Sequence, residues 1–276
     1  MAMATGYSLL DYQHFVGSLR KTGFIGNIIL AVAPILEKDI ELYLLSKNVI
    51  IKKVQYSKCN HENIKKELQN KTLDEIENSH DRELVTCLYP YSNLKHRWAR
   101  FPLLRDYLIE CGGHPDPEKQ CGGPVLITDM RDTIFQRNPF DKESIIGLQV
   151  FQEFYTVRTT HWLVDWPVGD CKNVHYDEPM LCSGTTIGTR NAMIDYLNIM
   201  QIEMYEWMSH PICCCFDTNG DDQSMHNYLY YSGKLNSTSI RGGVTSIINR
   251  MGIINTVGAQ ASLILHSHTE NKKALH

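Results

Sequence analysis

Apolar and polar positions alternate along the chain in a way that predicts strands and helices in turn. A first strand is predicted at residues 1–5, followed by a helix over residues 8–21 whose apolar positions share one face. The run "NIILAVAP" predicts a buried strand, residues 37–47 predict a helix, and "NVIIKKVQY" predicts a third strand. The first part of the chain is therefore predicted to run β-α-β-α-β.

The rest of the chain continues this alternation, after a charged segment that is predicted to be an exposed helix or loop. Strands that alternate with helices predict an α/β fold with a mostly parallel central sheet and helices on both faces. Because the sequence has no internal repeat and no low-complexity linker, it predicts a single domain over residues 1–276. The remaining predicted elements are the charged segment 61–78, helices at 94–110, 191–208 and 221–231, and strands at "PVLITD", "SIIGLQV" and "ASLILH".

Composition and charge exclude several broad classes of protein. The chain has 276 residues, of which 43% are hydrophobic, and this is enough for a substantial core. A formal net charge of −4 and a pI near 6.3 argue against a general nucleic-acid or anionic-membrane binder. The longest apolar run, residues 28–36, is far shorter than the roughly 20 residues of a membrane span. With no secretory signal visible either, we expect a soluble, cytoplasmic protein.

Cysteine usage supports the same expectation. The chain has nine cysteines, an odd number that includes the run Cys213-Cys214-Cys215. This pattern predicts free thiols in a reducing compartment rather than a disulfide framework. The pairs Cys111/Cys121 and Cys171/Cys182 lack the CxxC spacing, so a zinc site is not expected.

One charged segment follows a buried strand directly. In "PVLITDMRDTIFQRNPF" the apolar strand ends in Asp129, Arg131 and Asp132. Ligands of parallel sheets bind beyond the carboxyl ends of the strands, and carboxylates are hard oxygen ligands for Mg²⁺ or Mn²⁺. A metal held there could neutralise a diphosphate while a nucleoside diphosphate leaves a sugar. The alternative is structural: one aspartate caps the turn and pairs with Arg131.

The chain as a whole resembles the nucleotide-diphospho-sugar transferases of the GT-A fold, in particular glycosyltransferases of plants, algae and large algal viruses. One departure is visible, because the usual DxD motif spaces its acids by two, whereas Asp129 and Asp132 are three apart. The resemblance is carried by six blocks in this order: "TGYSLLDYQHFVGSLRKTGFIGNIILAV", "RWARFPLLRDYL", "ITDMRDTIFQRNPF", "LCSGTTIGTRNAMIDYL", "GDDQSMHNYLYYSGKL" and "LILHSH".

The resemblance implies a role for each matched position. It implies a nucleotide-binding half over residues 1–132 and a half over residues 133–276 that binds the acceptor and the sugar. It also implies that Asp222, with Asp221 beside it, acts as the general base. His268 could substitute for the expected metal ligand His266. The implied sets are nucleotide-binding Thr5, Gly6, Tyr7, Arg97, Arg100 and Asp129; donor-sugar Arg131, Ser183, Gly184, Thr185 and Gln223; and metal-binding Asp129, Asp132 and His266 for Mn²⁺ or Mg²⁺.

These residues predict a metal-dependent glycosyltransferase that moves a sugar from a UDP-sugar to a glycan or glycoprotein acceptor, with inversion at the anomeric carbon. Glucose, galactose and xylose remain open as the donor sugar. A haloacid-dehalogenase-type phosphatase is the first alternative, although Asp129 to Thr133 misses its Asp-x-Asp-x-Thr pattern by one residue. A sugar nucleotidyltransferase would need a Gly-rich basic loop after strand one, which "TGYSLLDYQ" lacks. A catalytically silent sugar-binding protein is the third alternative.

Overall fold

A computed structural model describes most of the chain as alternating strands and helices. Helix α1 consists of three consecutive segments, Leu9–Tyr12, the π-helical Gln13–Gly17, and Ser18–Lys21. The described residues are 1–59, 86–94, 96–117, 120–131, 133–140, 145–156, 177–209, 221–236, 245–249 and 254–256. The other described elements are β1 Ala2–Ala4, β2 Ile28–Val32, α2 Lys38–Ser46, β3 Val49–Lys53, β4 Tyr56–Lys58, β5 Thr86–Leu88, α3 His96–Gly112, β6 Val125–Thr128, β7 Thr133–Phe135, β8 Leu148–Thr156, β9 Pro179–Gly188, α4 Arg190–Ser209, α5 Asp221–Tyr231, β10 Thr245–Asn249 and β11 Ile254–Thr256.

The central sheet forms from two hydrogen-bonded groups of strands that meet at Met1. Strands β1, β2 and β3 are parallel, and β10, β8, β9 and β6 form the second group. The Met1 nitrogen donates to the Leu126 carbonyl at 2.6 Å, and the Thr128 nitrogen donates to the Met1 carbonyl at 3.1 Å. These bonds follow the parallel pattern and give the order β3-β2-β1-β6-β9-β8-β10. Among these strands only β9 runs antiparallel, so the predicted α/β fold with a mostly parallel sheet is confirmed.

Helices cover both faces of this sheet, as the sequence predicts. Strand β2 is buried along its whole length, which explains its unbroken apolar sequence. Side chains from α1 and α2, such as Phe15 and Leu44, pack on one face, whereas α3, α4 and α5 pack on the other through residues such as Trp98, Met200 and Leu229. The helices predicted from the periodicity in these regions agree with the structure within two residues at either end. The division into halves at residue 132 stays a prediction, and the predicted segment 61–78 and the strand "ASLILH" lie outside the described residues.

Strand β9 is the main element that the sequence does not predict. The block "CSGTTIGT" contains the predicted donor-sugar residues Ser183, Gly184 and Thr185 and precedes a helix, and the role of these residues stays a prediction. These residues lie inside β9, and the following helix begins only at Arg190, where the Thr189 hydroxyl accepts from the Ala192 nitrogen at 3.3 Å. Serine and glycine are not typical of strands, which conceals this one, whereas Thr185 and Thr186 are buried within the sheet.

The cysteines depart from the expectation of free thiols. Among the five cysteines that the structure describes, disulfides join Cys59 to Cys87 and Cys111 to Cys121, with Cα–Cα distances of 4.9 Å and 5.3 Å, and Cys182 is buried. The prediction fails because an odd number of cysteines does not show which of them the fold brings within disulfide range. Since disulfides persist in oxidising compartments, the cysteines no longer support a reducing cytoplasm. Among the described helices, none is both long and apolar enough to span a bilayer.

Candidate active site

Asp129 is held at the carboxyl end of β6 by the neighbouring strand. Its backbone nitrogen donates to the Gly184 carbonyl of β9 at 2.7 Å, and its side chain is 45% exposed. The Thr128 hydroxyl, one residue earlier, lies 2.9 Å from the Thr133 hydroxyl and 3.3 Å from the Thr185 hydroxyl. These bonds fix the turn after β6, so that the carboxylate faces solvent from a rigid base.

A bulge in β9 shapes the surface beside Asp129. Val150 of β8 pairs with Thr186, but the next residue of β8 pairs with Cys182, so residues 183–185 bulge. Gly184 lies against the Asp129 side chain, and a Cβ atom added there would lie 2.9 Å from the Asp129 Cγ atom and closer still to its Oδ2 atom. Only glycine therefore fits this position without moving the carboxylate. The structure thus brings the predicted residues 183–185 close to Asp129. Thr185 is buried and pairs with Thr128 of β6 within the sheet.

Arg100 joins two aspartates that are far apart in the sequence. It lies on α3, and its two terminal nitrogens donate to Asp129 Oδ1 and to Asp222 Oδ2 in the first turn of α5. The side chains of Arg100 and Asp222 are only 18% and 13% exposed. Burial by itself lowers the pKa of Arg100, but the two carboxylates outweigh it and raise this pKa above its ordinary value. The guanidinium therefore stays charged at every practical pH.

Little empty space remains underneath this cluster. A cavity of about 10 Å³ is lined by Arg100, Asp129, Ser183 and Gly184, together with apolar residues of β1 and α3. This volume holds at most one water molecule. The Arg100 guanidinium also packs on the Phe101 ring, with 4.9 Å between Cζ and the ring centre. A ligand of the cluster must therefore bind on its exposed side, where Asp129 faces solvent.

The predicted nucleotide-binding residues of β1 also lie at this edge of the sheet. Thr5 follows β1, Gly6 has a positive φ of 76° that favours glycine, and the turn leads into the capping box of α1. The guanidinium of Arg131, which is exposed, lies 4.7 Å from the centre of the Tyr7 ring. An aromatic ring and a cation therefore stand together at the ends of the adjacent strands β1 and β6.

Tyr196 and His226 form a buried polar pair behind Arg100 that the sequence does not predict. The Tyr196 hydroxyl is 2.7 Å from His226 Nδ1, and both side chains are almost completely buried. Burial, and secondarily the Arg100 charge, lowers the pKa of His226 to about 3, so that its imidazole is neutral at pH 7. Burial likewise raises the pKa of Tyr196. The sequence does contain one signal for this pair, because His226 follows Asp222 by four residues and so lies on the same face of α5.

Arg97 and Gln223 are two further predicted site residues near the cluster. Arg97 lies on α3, one turn before Arg100. It is Arg100 that contacts both Asp129 and Asp222. The backbone nitrogen of Gln223 donates to Asp222 Oδ1 at 2.9 Å, and its side-chain amide donates to the Leu181 carbonyl of β9 at 3.2 Å. Gln223 is thus a buried neighbour of the cluster, and its contact with a donor sugar stays a prediction.

Of the predicted metal ligands Asp129, Asp132 and His266, the structure describes Asp129 alone. Its exposed carboxylate at a strand end suits a hard cation, although Arg100 already contacts one of its oxygens. Asp132 and His266, like His268, lie outside the described residues, and of Asp221 only the position at the start of α5 is described. Within the part of the chain that the structure describes, no three histidine, cysteine or acidic side chains are grouped for a metal. The metal site therefore stays a prediction.

Comparison with solved structures gives distant likenesses, among them two structures of LgtC. No protein-family model matches the sequence, and no curated protein matches it either. A crystal structure of an active-site mutant of LgtC aligns with a TM-score of 0.43 and 12% identity, over 91% of this chain and 74% of that one. A complex of the galactosyltransferase LgtC with donor and acceptor sugar analogues aligns with a TM-score of 0.44, with the same identity and coverage. At this distance the likeness assigns no activity, so function is argued from the side chains.

Proposed function

We propose that this chain is a glycosyltransferase that moves a sugar from a UDP-sugar to a glycan or glycoprotein acceptor. The observation that carries the proposal is the arrangement Asp129–Arg100–Asp222 at the carboxyl edge of the sheet. A guanidinium between two carboxylates offers hydrogen-bond donors and acceptors side by side. Sugar hydroxyls both donate and accept, so this arrangement suits a sugar better than a simple anion or cation.

The neighbouring residues support a nucleotide as the group attached to that sugar. The Tyr7 ring offers an aromatic face to a base, and Arg131 beside it offers a positive charge to a diphosphate. Both follow strands β1 and β6, and β6 leads directly into Asp129. We therefore assign the nucleotide to the Thr5–Tyr7 and Arg131 side of the site, and the donor sugar to the Asp129 and Arg100 side.

A divalent metal forms part of this proposal. Mn²⁺ or Mg²⁺ would be held by Asp129, with Asp132 and His266 as the further ligands that the sequence resemblance implies. When bound, such an ion neutralises charge on a departing diphosphate. Arg131 and Arg100 would add positive charge from the protein on either side of Asp129.

Asp222 is the proposed base that accepts the proton of the attacking acceptor hydroxyl. Arg100 holds one oxygen of its carboxylate and the Gln223 backbone nitrogen holds the other, so the group is fixed in orientation. Inversion results when the acceptor oxygen, as it loses its proton to Asp222, bonds to the anomeric carbon on the face opposite the bond that breaks to the diphosphate. The donor sugar is proposed to be glucose, galactose or xylose, which differ in their hydroxyl groups and therefore in their contacts with this cluster.

Calorimetry with UDP, in the presence and absence of Mn²⁺, tests the proposal first. We expect saturable binding that is at least tenfold tighter with Mn²⁺ and that is lost in Asp129→Asn. Glu206→Gln on α4 is the matched control, because Glu206 is exposed and pairs with Lys234 well away from Asp129 in the fold. A screen for UDP release from UDP-glucose, UDP-galactose and UDP-xylose follows. No UDP binding in either condition overturns the proposal, whereas binding without turnover leaves a silent sugar-binding protein.

A further inference from the structure

An apolar cavity of about 610 Å³ lies away from the aspartate cluster. Its walls include Met1 and the first residues of β2 and β6, Ile28 and Val125, and along β6 they extend to Thr128. The candidate active site begins with the next residue, Asp129, beyond the carboxyl end of β6. None of the residues that line the cavity belongs to the Asp129–Arg100–Asp222 cluster.

The described residues that line this cavity are mostly apolar, and four of them are aromatic. Four phenylalanines contribute, in two contacting pairs: Phe15 with Phe135, and Phe24 with Phe140, each with 5.3 Å between ring centres. Among the described residues that line it, none has an acidic, basic or histidine side chain, and burial lowers the pKa of the Met1 amino group to about 5, so that this group is neutral at pH 7. A charged ligand would therefore lose its hydration without gaining a partner, so the lining selects an uncharged one.

The few polar groups of the lining are already used within the protein. The Asn27 side chain donates to the Gln120 carbonyl at 3.2 Å, and the Thr128 hydroxyl contacts two other threonines. Specific hydrogen bonds to a ligand are therefore not what this cavity offers. Its volume falls within the range of about 300–1,000 Å³ that is typical of small-molecule sites. Ile25 also lines the cavity and is 95% exposed, so the apolar lining reaches the protein surface.

We propose that this cavity binds an uncharged ligand with a flexible hydrocarbon chain, of the class of a fatty alcohol or a neutral lipid. A flexible chain can fill an irregular space between phenylalanine rings and aliphatic side chains, and its burial alone supplies the affinity. An uncharged polar end would remain at the mouth near Asn27 and Gln120. This proposal does not depend on the glycosyltransferase proposal, because none of the lining residues belongs to the Asp129–Arg100–Asp222 cluster.

Two glycines of the lining allow a direct test. A Cβ atom added at Gly122 or Gly123 would meet no atom within 4 Å, and neither residue has a positive φ. Both glycines line the cavity, so Gly122→Phe and Gly123→Phe add a ring at its wall without backbone strain. Gly113→Phe is the matched control, because Gly113 lies in the same connection after α3 but does not line the cavity, and a Cβ atom there makes only an ordinary contact of 3.8 Å.

The measurement is fluorescence titration with the uncharged apolar dye N-phenyl-1-naphthylamine, followed by competition with compounds that share a 12-carbon chain and differ in the charge of the head group. We expect saturable dye binding that dodecanol displaces at least tenfold better than dodecanoate or dodecyltrimethylammonium. Both lining variants should weaken dye binding at least tenfold, whereas Gly113→Phe should not, with thermal unfolding of each variant showing that it is folded. Absence of saturable binding, equal binding by folded lining variants, or equal competition by the charged compounds would overturn the proposal. UDP binding should be unaffected throughout.

Discussion

Gly184 and Asp129 are in such close contact that residue 184 can carry no side chain while the Asp129 carboxylate keeps its position. A Cβ atom at residue 184 would lie 2.9 Å from Asp129 Cγ, and the Gly184 carbonyl accepts from the Asp129 backbone nitrogen. The bulged strand β9 therefore sets where the carboxylate at the end of β6 points. A residue predicted to contact the donor sugar acts, in this structure, on the aspartate next to it.

Gly184→Ala should move the Asp129 carboxylate and weaken the site more than it weakens the fold. Because the Asp129 side chain is half-exposed, it can rotate away from the new methyl group, so the cost in stability should stay within about 1–3 kcal/mol. We expect UDP binding in Mn²⁺ to fall at least tenfold, measured by calorimetry, with thermal unfolding measured on the same sample. Gly113→Ala is the control, because its Cβ atom makes only an ordinary contact. Unchanged UDP binding in Gly184→Ala would contradict this role.

Arg100→Met should destabilise the protein chiefly through Asp222. Because the Asp222 side chain is only 13% exposed, loss of the guanidinium leaves a carboxylate that water reaches poorly. We expect a loss of about 3 kcal/mol in the free energy of unfolding, measured by urea denaturation. Asp129→Asn should cost less than about 1 kcal/mol, because solvent reaches the Asp129 side of the bridge.

The double variant Arg100→Met/Asp222→Asn separates this cause from lost packing on Phe101. Removing the charge of Asp222 as well should recover at least about 1 kcal/mol of the loss, because the two side chains are in direct contact. Additive losses from the two single substitutions would show that the ion pair is not the origin of the effect.

Local pattern predicts much of this fold and several parts of the candidate site. The buried strand that ends in Asp129, and the helices that carry Arg100 and Asp222, follow from runs and periodicity of apolar residues. That the three meet does not follow, because Arg100 and Asp222 are 122 residues apart and their contact depends on how two helices pack. A single sequence contains no signal for such a contact.

Two misses have the same origin in tertiary structure. Ser183 and Gly184 are typical of turns, yet they lie in β9 because the sheet tolerates a bulge beside Asp129. The disulfide between Cys111 and Cys121 forms because the connection after α3 returns to the end of that helix, where the Cys121 nitrogen donates to the Cys111 carbonyl at 3.2 Å. Spacing along the chain does not encode that return.

His226 should make the stability of the protein depend on pH between about 6.5 and 3. Its pKa is lowered to about 3 in the folded state, whereas an unfolded histidine has a pKa of about 6.5. Between these values the unfolded chain binds a proton that the folded protein does not. The contribution of His226 to the free energy of unfolding is therefore complete above pH 6.5 and is lost as the pH falls, by up to about 1.4 kcal/mol per pH unit.

His226→Gln keeps a polar partner for the Tyr196 hydroxyl but cannot titrate. Urea unfolding at pH 4, 5, 6 and 7 should therefore show that the stability of the wild type relative to this variant decreases as the pH is lowered, while the shared carboxylates cancel. A difference that stays constant over this range would mean that His226 titrates alike in the folded and unfolded states, and that the buried pair behind Arg100 is accessible to protons.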